Sequence, residues 1–233
     1  MKRYRFSSLI VLLCCTCLAC NDFLTEYSHD QAYVQSYSDL DELIIGSGYM
    51  KCAGTHDYTY YSTAKETYYP YVHFMADETE VRNTGTYDYY GESFLKMFYG
   101  FYTWQKDVDK DHEGTVGWTE NQDWINLYKH INITNIILNQ IDNQTIQTEN
   151  DQQNVNRIKG EAHFLRGAYY FVLANLYGKP YSPTSAKTDL AVPIKLTENI
   201  EDKVYTRATV EKTYEQVLED LLTAEKYLKG QSR

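Results

Sequence analysis

The sequence has 233 residues, with 22 Lys and Arg against 32 Asp and Glu, 43% apolar residues and 24 tyrosines. This length suits one large domain with its own core, and the apolar content excludes an extensively disordered chain. The net charge of -10 argues against nucleic acid and anionic lipid surfaces as ligands, because both require a basic face. Tyrosine is unusually abundant, and any proposed function has to account for it.

Residues 1–19 have the pattern of a secretory signal peptide. Basic side chains near the start precede an apolar run at 6–13, which is too short to span a bilayer as a mature helix. Ala19 stands directly before Cys20, and polar residues follow it, as in the lipobox of a bacterial lipoprotein. We predict that Cys20 is lipidated and begins the mature chain. Ordinary signal-peptidase cleavage, with Cys20 unmodified, is the alternative.

Cysteine usage limits how the exported chain can be held together. Four of the five cysteines lie at or before position 20, so only Cys52 remains beyond it. An internal disulfide could form only between Cys52 and Cys20. The six histidines lack the spacing of zinc ligands, and we predict no cofactor. The fold must therefore be stabilised by its hydrophobic core.

The first part of the mature chain is predicted to contain a leader, one short helix and long loops. Residues 20–36 form the polar leader or tether. Ser38 is the predicted N-cap of the first helix, in which apolar residues recur at helical spacing until two glycines stop it. The remainder of the region 37–120 is rich in tyrosine and punctuated by glycine, so we interpret it as long loops with one or two short elements.

Three long amphipathic helices are predicted in the region 121–233. Apolar residues keep helical spacing over about 124–141, 155–177 and 210–228, and the third helix has a predicted N-cap near Thr209. No convincing alternating strand pattern accompanies them. The sequence therefore predicts an all-α fold, and the helix lengths and short connections favour irregular hairpins like those of tetratricopeptide repeats.

The middle long helix has features of a helix packed on two sides. Besides its main apolar stripe it carries a second stripe formed by Phe164, Ala168 and Phe171. Small residues along it would let neighbouring helices approach closely. We predict that it ends at Gly178 with a left-handed C-cap, since Pro180 follows.

Four blocks of the sequence resemble the RagB/SusD family. Residues 20–24 (Cys-Asn-Asp-Phe-Leu) resemble the lipidated start of these proteins. Residues 157–180 resemble the family's most recognisable helix, with its E-A-x-F-L-R-[AG] start, following aromatic residues and terminal G-x-P. The blocks around 124–135 and 206–224 resemble the preceding and following helices. The blocks occur in the family's order and with its spacing.

The resemblance implies a surface-exposed outer-membrane lipoprotein built on tetratricopeptide-like helices. Such proteins cover a SusC-like TonB-dependent transporter and capture oligosaccharides for import, without acting as enzymes. Family members continue much further than this sequence. The resemblance therefore implies an N-terminal portion or a truncated member, and a truncated copy without function remains an alternative.

A glycan site is best sought where aromatic rings alternate with hydrogen-bonding groups. Tyrosine offers both a flat face for pyranose C–H groups and a hydroxyl, at a low cost in conformational entropy. The glycine-flanked loop at 82–91 has this alternation, and Trp104 is a nearby candidate platform. The candidate ligand-binding residues are Arg82, Asn83, Tyr87, Tyr89, Tyr90 and Trp104. Alternatively, these rings pack beneath their own loops.

Three other groupings of charged residues are weaker candidates for chemistry. A histidine followed by carboxylates, at His73, Asp77, Glu78 and Glu80, could form an acid and base pair, but one such pair arises by chance in so acidic a chain. Carboxylates at Asp107, Asp109 and Asp111 begin like a calcium loop that then departs from the pattern, so a solvated acidic turn is favoured over a loose calcium site. Arg157 and Glu161 are predicted to pair on a helix surface.

Two function classes remain for the sequence. The favoured hypothesis is a glycan-capturing lipoprotein of a nutrient uptake system that performs no catalysis. The alternative is a tetratricopeptide-type surface adaptor that binds a peptide or a protein. No nucleophile elbow, zinc-hydrolase motif or phosphate loop supports a secreted hydrolase.

Overall fold

The computed structural model describes residues 34–50, 75–77, 100–101, 103–106, 108, 122–199 and 201–230. In chain order these residues form four α-helices: α1 (Tyr37–Leu43), α2 (Gln122–Gln140), α3 (Glu149–Tyr177) and α4 (Val210–Leu228). A π-helical segment, Ile44–Gly48, extends α1, and a 3-10 turn, Ile141–Asn143, follows α2. Within the described residues, β pairing is limited to an isolated bridge between Leu190 and Thr209. The predicted all-α class is confirmed.

Helix α1 begins two residues earlier than the sequence predicted. The N-cap is Ser36, whose backbone is extended and whose N–H donates to Asp39 Oδ2 at 3.0 Å. Ser38 therefore lies inside the first turn, and the prediction of an N-cap there is wrong. Asp39 explains why the helix begins at this position, because its carboxylate accepts the hydrogen bond from the Ser36 N–H. Leu40 and Ile44 are completely buried, which anchors this helix to the core.

Helix α3 begins at Glu149, six residues before the predicted start near Val155. Thr148 is the N-cap: its Oγ1 accepts from the Asp151 N–H at 3.1 Å, and its own N–H donates to Asp151 Oδ2 at 2.9 Å. The first six residues are all polar, so hydrophobic periodicity cannot reveal them. The capping box at Thr148 and Asp151 is the sequence feature that could have done so.

Helix α3 ends at Gly178, as predicted, but not through a left-handed cap. Gly178 has extended backbone angles, φ -90° and ψ 168°. Its N–H donates to the Ala174 carbonyl at 2.9 Å. A Cβ at this position would lie 2.5 Å from that carbonyl oxygen and 3.2 Å from the Cα of Ala191. Glycine is required here because two backbone segments approach closely, and not because of its φ angle.

Helices α3 and α4 pack as an antiparallel hairpin. A Cβ on Gly160 would lie 2.7 Å from the Leu228 side chain, and one on Gly167 would lie 3.2 Å from the side chains of Asp220 and Leu221. Small residues thus bring the two helices together, as predicted from the sequence. Helix α2 packs on α3 as well, and completely buried side chains fill the core: Leu127, Ile131, Ile137, Ile158, Tyr170 and Leu173. This paired arrangement is tetratricopeptide-like.

Buried ion pairs lie inside this helical core. Arg166 donates to both carboxylate oxygens of Asp220, at 2.9 and 2.7 Å, and to Asn135 Oδ1 at 3.0 Å. Arg157 pairs with Glu161 at 3.1 Å and with Asp41 at 3.0 Å. The predicted Arg157–Glu161 pair therefore exists, but its placement on the helix surface is wrong. The two side chains are buried because α1 packs over them and supplies Asp41.

The connection between α3 and α4 is fixed to the helices by side chains. Tyr128 Oη donates to the Pro193 carbonyl at 2.6 Å, and Tyr170 Oη accepts from the Lys195 N–H at 2.8 Å. Ala191 and Val192 are completely buried.

None of the helices that the structure describes is long and apolar enough to span a membrane.

Candidate functional site

Trp104 projects from a tight turn on the surface. The turn starts at Gly100 and Phe101: the Trp104 N–H donates to the Phe101 carbonyl at 3.1 Å, and the Gln105 N–H donates to the Gly100 carbonyl at 2.8 Å. Phe101 is buried and anchors the turn. A Cβ on Gly100 would lie 2.2 Å from the Val108 carbonyl oxygen, so only glycine lets the chain fold back here.

The backbone of Trp104 is in the left-handed region, with φ 55°. A bulky L-residue rarely adopts this conformation, which costs about 1–2 kcal/mol. The indole gains little burial in exchange, since the residue is 66% exposed. Backbone strain at an exposed aromatic residue is a feature found at ligand sites, where the surrounding structure enforces an unfavourable conformation.

The other predicted site residues lie outside the described part of the chain. For ligand binding these are Arg82, Asn83, Tyr87, Tyr89 and Tyr90; for lipidation, Cys20; for calcium, Asp107, Asp109 and Asp111; for acid and base chemistry, His73, Glu78 and Glu80. Asp77 is described, but its proposed partners are not. These assignments remain predictions. Within the described residues, no group of three or more His, Cys, Asp or Glu side chains could hold a metal ion.

A second aromatic cluster lies where α2 begins and α3 ends. The Trp124 ring packs against Tyr128 at 4.9 Å and edge-on against Tyr177 at 5.1 Å, measured between ring centroids. The guanidinium of Arg207 lies 5.8 Å from the Trp124 ring centroid and donates to the Tyr177 carbonyl at 2.9 Å. Helical spacing predicted the helices that carry these rings, but not the contact with Arg207, because Arg207 is distant from its partners in the chain. The cluster packs against the C-terminal end of α3.

Four buried or partly buried tyrosines have raised pKa values. Burial raises the pKa of Tyr170 and Tyr177 to about 12. Burial also raises the pKa of Tyr128 and Tyr169 above the ordinary value of 10.0. These four phenols therefore stay protonated at physiological pH.

Exposed and partly exposed apolar side chains line one side of the α3–α4 hairpin and of the connection that follows α3. We call this surface the apolar face; it consists of Phe164, Phe171, Tyr181, Tyr214, Leu218 and Leu222. Phe171 and Tyr181 both contact Tyr214, with ring centroids 6.1 and 5.4 Å apart. Helix α3 is packed on two sides, by α2 and α4, as predicted, but the second stripe is only partly covered, because Phe164 and Phe171 are each 48% exposed. The neighbouring Tyr169 and Tyr170 are buried, as predicted.

A family model described as SusD-like, "Starch-binding associating with outer membrane", matches residues 63–233. The chain belongs to the SusD-like family. Residues 157–180, whose pattern resembled this family, form most of α3 and its C-terminal turn. The all-α hairpin architecture is therefore that of a SusD-like protein.

Solved structures share this SusD-like fold. A Bacteroides vulgatus protein proposed to bind sugar is 20% identical and superposes with a TM-score of 0.60, covering 87% of this chain and 39% of its own. A SusD-like carbohydrate binding protein from the same organism is 21% identical, with a TM-score of 0.56 over 85% of this chain and 37% of that one. A SusD superfamily protein from Bacteroides fragilis is 21% identical, with a TM-score of 0.54 over 82% and 39%.

The chain spans about two fifths of the length of these solved relatives. At these identities the likeness shows the fold. A search of curated proteins finds no match to the sequence.

Proposed function

We propose that this SusD-like chain captures neutral oligosaccharides by stacking and hydrogen bonding, without catalysis. The observation that carries the proposal is the exposed indole of Trp104, held in a strained left-handed turn. A flat indole matches the C–H face of a pyranose ring, and its N–H can donate to a sugar hydroxyl. The family description and the fold support a carbohydrate ligand.

The charge of the chain favours an uncharged ligand. The sequence carries ten more acidic than basic residues, so an anionic polysaccharide would be repelled. Neutral glycans are bound instead through stacking and hydrogen bonds that require little desolvation of charge. In this proposal Arg82, Asn83, Tyr87, Tyr89 and Tyr90 remain the further ligand-binding residues that the sequence predicts.

The site that we propose needs an anchor and a transporter to act in uptake. Residues 1–19 would direct export, Cys20 would carry the lipid, and residues 20–36 would tether the helical domain to the outer membrane. A SusC-like TonB-dependent transporter would then receive the glycan. The lipobox-like sequence at Cys20 and the family description support this placement.

Cys20→Ala should move the protein from the membrane fraction to the soluble fraction. Retention in the membrane fraction would contradict the proposed anchor.

Titration of the purified chain by calorimetry tests the glycan proposal. The panel consists of neutral oligosaccharides (maltoheptaose, cellohexaose and xylohexaose), one anionic oligosaccharide (a hexamer of galacturonate) and an unrelated peptide. We expect saturable binding of at least one neutral glycan and none of the anionic one. Binding of the peptide, with no response to any neutral glycan, would contradict the proposal and favour an adaptor function.

A further inference from the structure

Gly100 closes the turn that carries Trp104. The described residues of this turn are Gly100, Phe101, 103–106 and Val108. The chain returns to its starting point so closely that a Cβ on Gly100 would lie 2.2 Å from the Val108 carbonyl oxygen and 2.5 Å from the Val108 Cα. The Gln105 N–H donates to the Gly100 carbonyl at 2.8 Å, which ties the far side of the turn to the same residue. Gly100 therefore takes part in two of the contacts that close the turn.

The left-handed backbone of Trp104 needs a constraint from its surroundings. A bulky residue with a φ of 55° relaxes to a right-handed or extended conformation when the chain around it allows this. The packing of the indole supplies little of the constraint, because the residue is 66% exposed. A short segment whose two ends touch has few conformations left. Among the described contacts, the backbone closure at Gly100 is the constraint that remains.

A methyl group at position 100 would displace the side of the turn that carries Trp104. Non-bonded carbon and oxygen atoms do not approach to 2.2 Å, so the backbones of Gly100 and Val108 would have to separate. Gly100 is buried and the neighbouring Phe101 is 8% exposed, so this end of the turn is fixed in the core. Residues 104–106 are exposed and resist displacement less. The separation would therefore shift the part of the turn that presents the indole.

We propose that Gly100 is a positioning residue for the glycan: by closing the turn, it fixes the orientation of Trp104 before the ligand binds. This inference rests on the proposed capture of neutral oligosaccharides and assigns part of that affinity to Gly100. When strain and order are already present in the free protein, a sugar that stacks on the indole does not have to impose them. A relaxed turn presents the binding conformation only part of the time, and the apparent affinity falls by that fraction.

A purely structural role of Gly100 makes a different prediction. If this glycine only allows the core to fold, Gly100→Ala lowers the stability and disturbs binding whether or not an indole stands at position 104. A positioning role acts through Trp104 alone. The effect of Gly100→Ala on the affinity then depends on the indole, and a double-mutant cycle separates the two roles.

The double-mutant cycle compares the wild type, Gly100→Ala, Trp104→Ala and the double variant. Calorimetry measures the Kd of each protein for the neutral oligosaccharide that the wild type binds. We expect Gly100→Ala to raise the Kd at least about fivefold, and to raise it less than about twofold when Trp104 is already alanine. Gly46→Ala is the matched control, because nothing lies within 4 Å of the corresponding Cβ. The control should bind like the wild type.

A second measurement of the Trp104 turn needs no ligand. The sequence has three tryptophans, so Trp118→Phe with Trp124→Phe leaves Trp104 as the only indole fluorophore. Time-resolved fluorescence anisotropy in this background measures the nanosecond motion of the indole. We expect Gly100→Ala to increase the amplitude of the fast anisotropy decay, and Gly46→Ala to leave it unchanged.

Insertion of one glycine after Lys106 loosens the same turn by an independent route, since it lengthens the turn without adding a Cβ at Gly100. This insertion takes the place of Gly100→Ala if thermal unfolding shows that Gly100→Ala does not fold. Equal increases in Kd with and without the indole would overturn the inference, as would an anisotropy decay that the loosened turn leaves unchanged. If the wild type binds no oligosaccharide, the proposed glycan capture fails, whereas the anisotropy decay still decides whether Gly100 fixes Trp104.

Discussion

At the residue scale, the ion pair between Arg166 and Asp220 joins α3 to α4 within the core. Asp220 is 1% exposed, and removing the Arg166 guanidinium would leave its buried carboxylate with bonds to only His163 and Gln216. We therefore predict that Arg166→Leu lowers the free energy of unfolding by about 3–5 kcal/mol, measured by urea denaturation. The matched control is Lys187→Ala, because the Lys187–Glu211 pair is exposed and 3.8 Å apart. Its removal should cost less than about 1 kcal/mol. Equal effects of the two substitutions would contradict this account.

The same carboxylate gives the stability a defined pH dependence. Burial alone would raise the pKa of Asp220, but hydrogen bonds from His163 and Arg166 outweigh it and lower the pKa below 3.8. A carboxylate with a lowered pKa stabilises the fold at pH values above its ordinary pKa, and this contribution is lost as the pH falls through the folded-state pKa. In urea denaturation, the stability difference between the wild type and Asp220→Asn should stay constant from pH 7 to about pH 4 and narrow below that. A difference that persists unchanged into strong acid would contradict the assignment.

Local partners of the core charges could be predicted from the sequence, and distant ones could not. Arg157 and Glu161 are four residues apart on one helix, so their pairing could be predicted. Asp41 joins them from 116 residues away, and Asp220 reaches Arg166 across 54 residues. No local pattern encodes such contacts, because they depend on which helix faces pack together.

At the element scale, Gly178 determines how α3 ends. A Cβ there would lie 2.5 Å from a backbone oxygen, which cannot rotate away as a side chain can. Gly178→Ala should therefore lower the free energy of unfolding by about 1–3 kcal/mol. Gly46→Ala is the control, because nothing lies within 4 Å of the corresponding Cβ. It should leave the stability unchanged or raise it by up to about 1 kcal/mol. Chemical denaturation of both variants would contradict the account if Gly178→Ala were the milder change.

Helix boundaries were predictable where apolar residues approach the helix end. Helix α4 begins after Thr209, as predicted, because Val210 starts its buried face at once. The first six residues of α3 are polar, so its start was placed too late. The reason for Gly178 was also missed: the sequence shows a glycine before a proline, but not the Ala191 backbone that crosses nearby.

At the scale of the whole molecule, the resemblance to SusD-like proteins predicted both the helical class and the family. The blocks that carried it lie on α2, α3 and α4, where local pattern and tertiary packing agree. The candidate site was predicted less completely. Trp104 was selected as an aromatic platform, but its left-handed backbone depends on the chain returning from Gly100 to Val108, a closure that no spacing rule predicts. The exposed phenylalanines of the apolar face were missed for a similar reason, since an apolar stripe on a helix does not reveal whether a neighbour covers it.

The measurement that tests the central claim most directly is the glycan affinity of Trp104→Ala, determined by calorimetry with the neutral oligosaccharide that the wild type binds. We expect the Kd to rise at least about tenfold, because the stacking platform is removed. Trp104→Phe should retain most of the affinity, since it keeps an aromatic face. Trp124→Phe is the control, because Trp124 packs against Tyr128 and Tyr177 instead of projecting into solvent. Wild-type affinity in Trp104→Ala would contradict the claim that this turn binds the sugar.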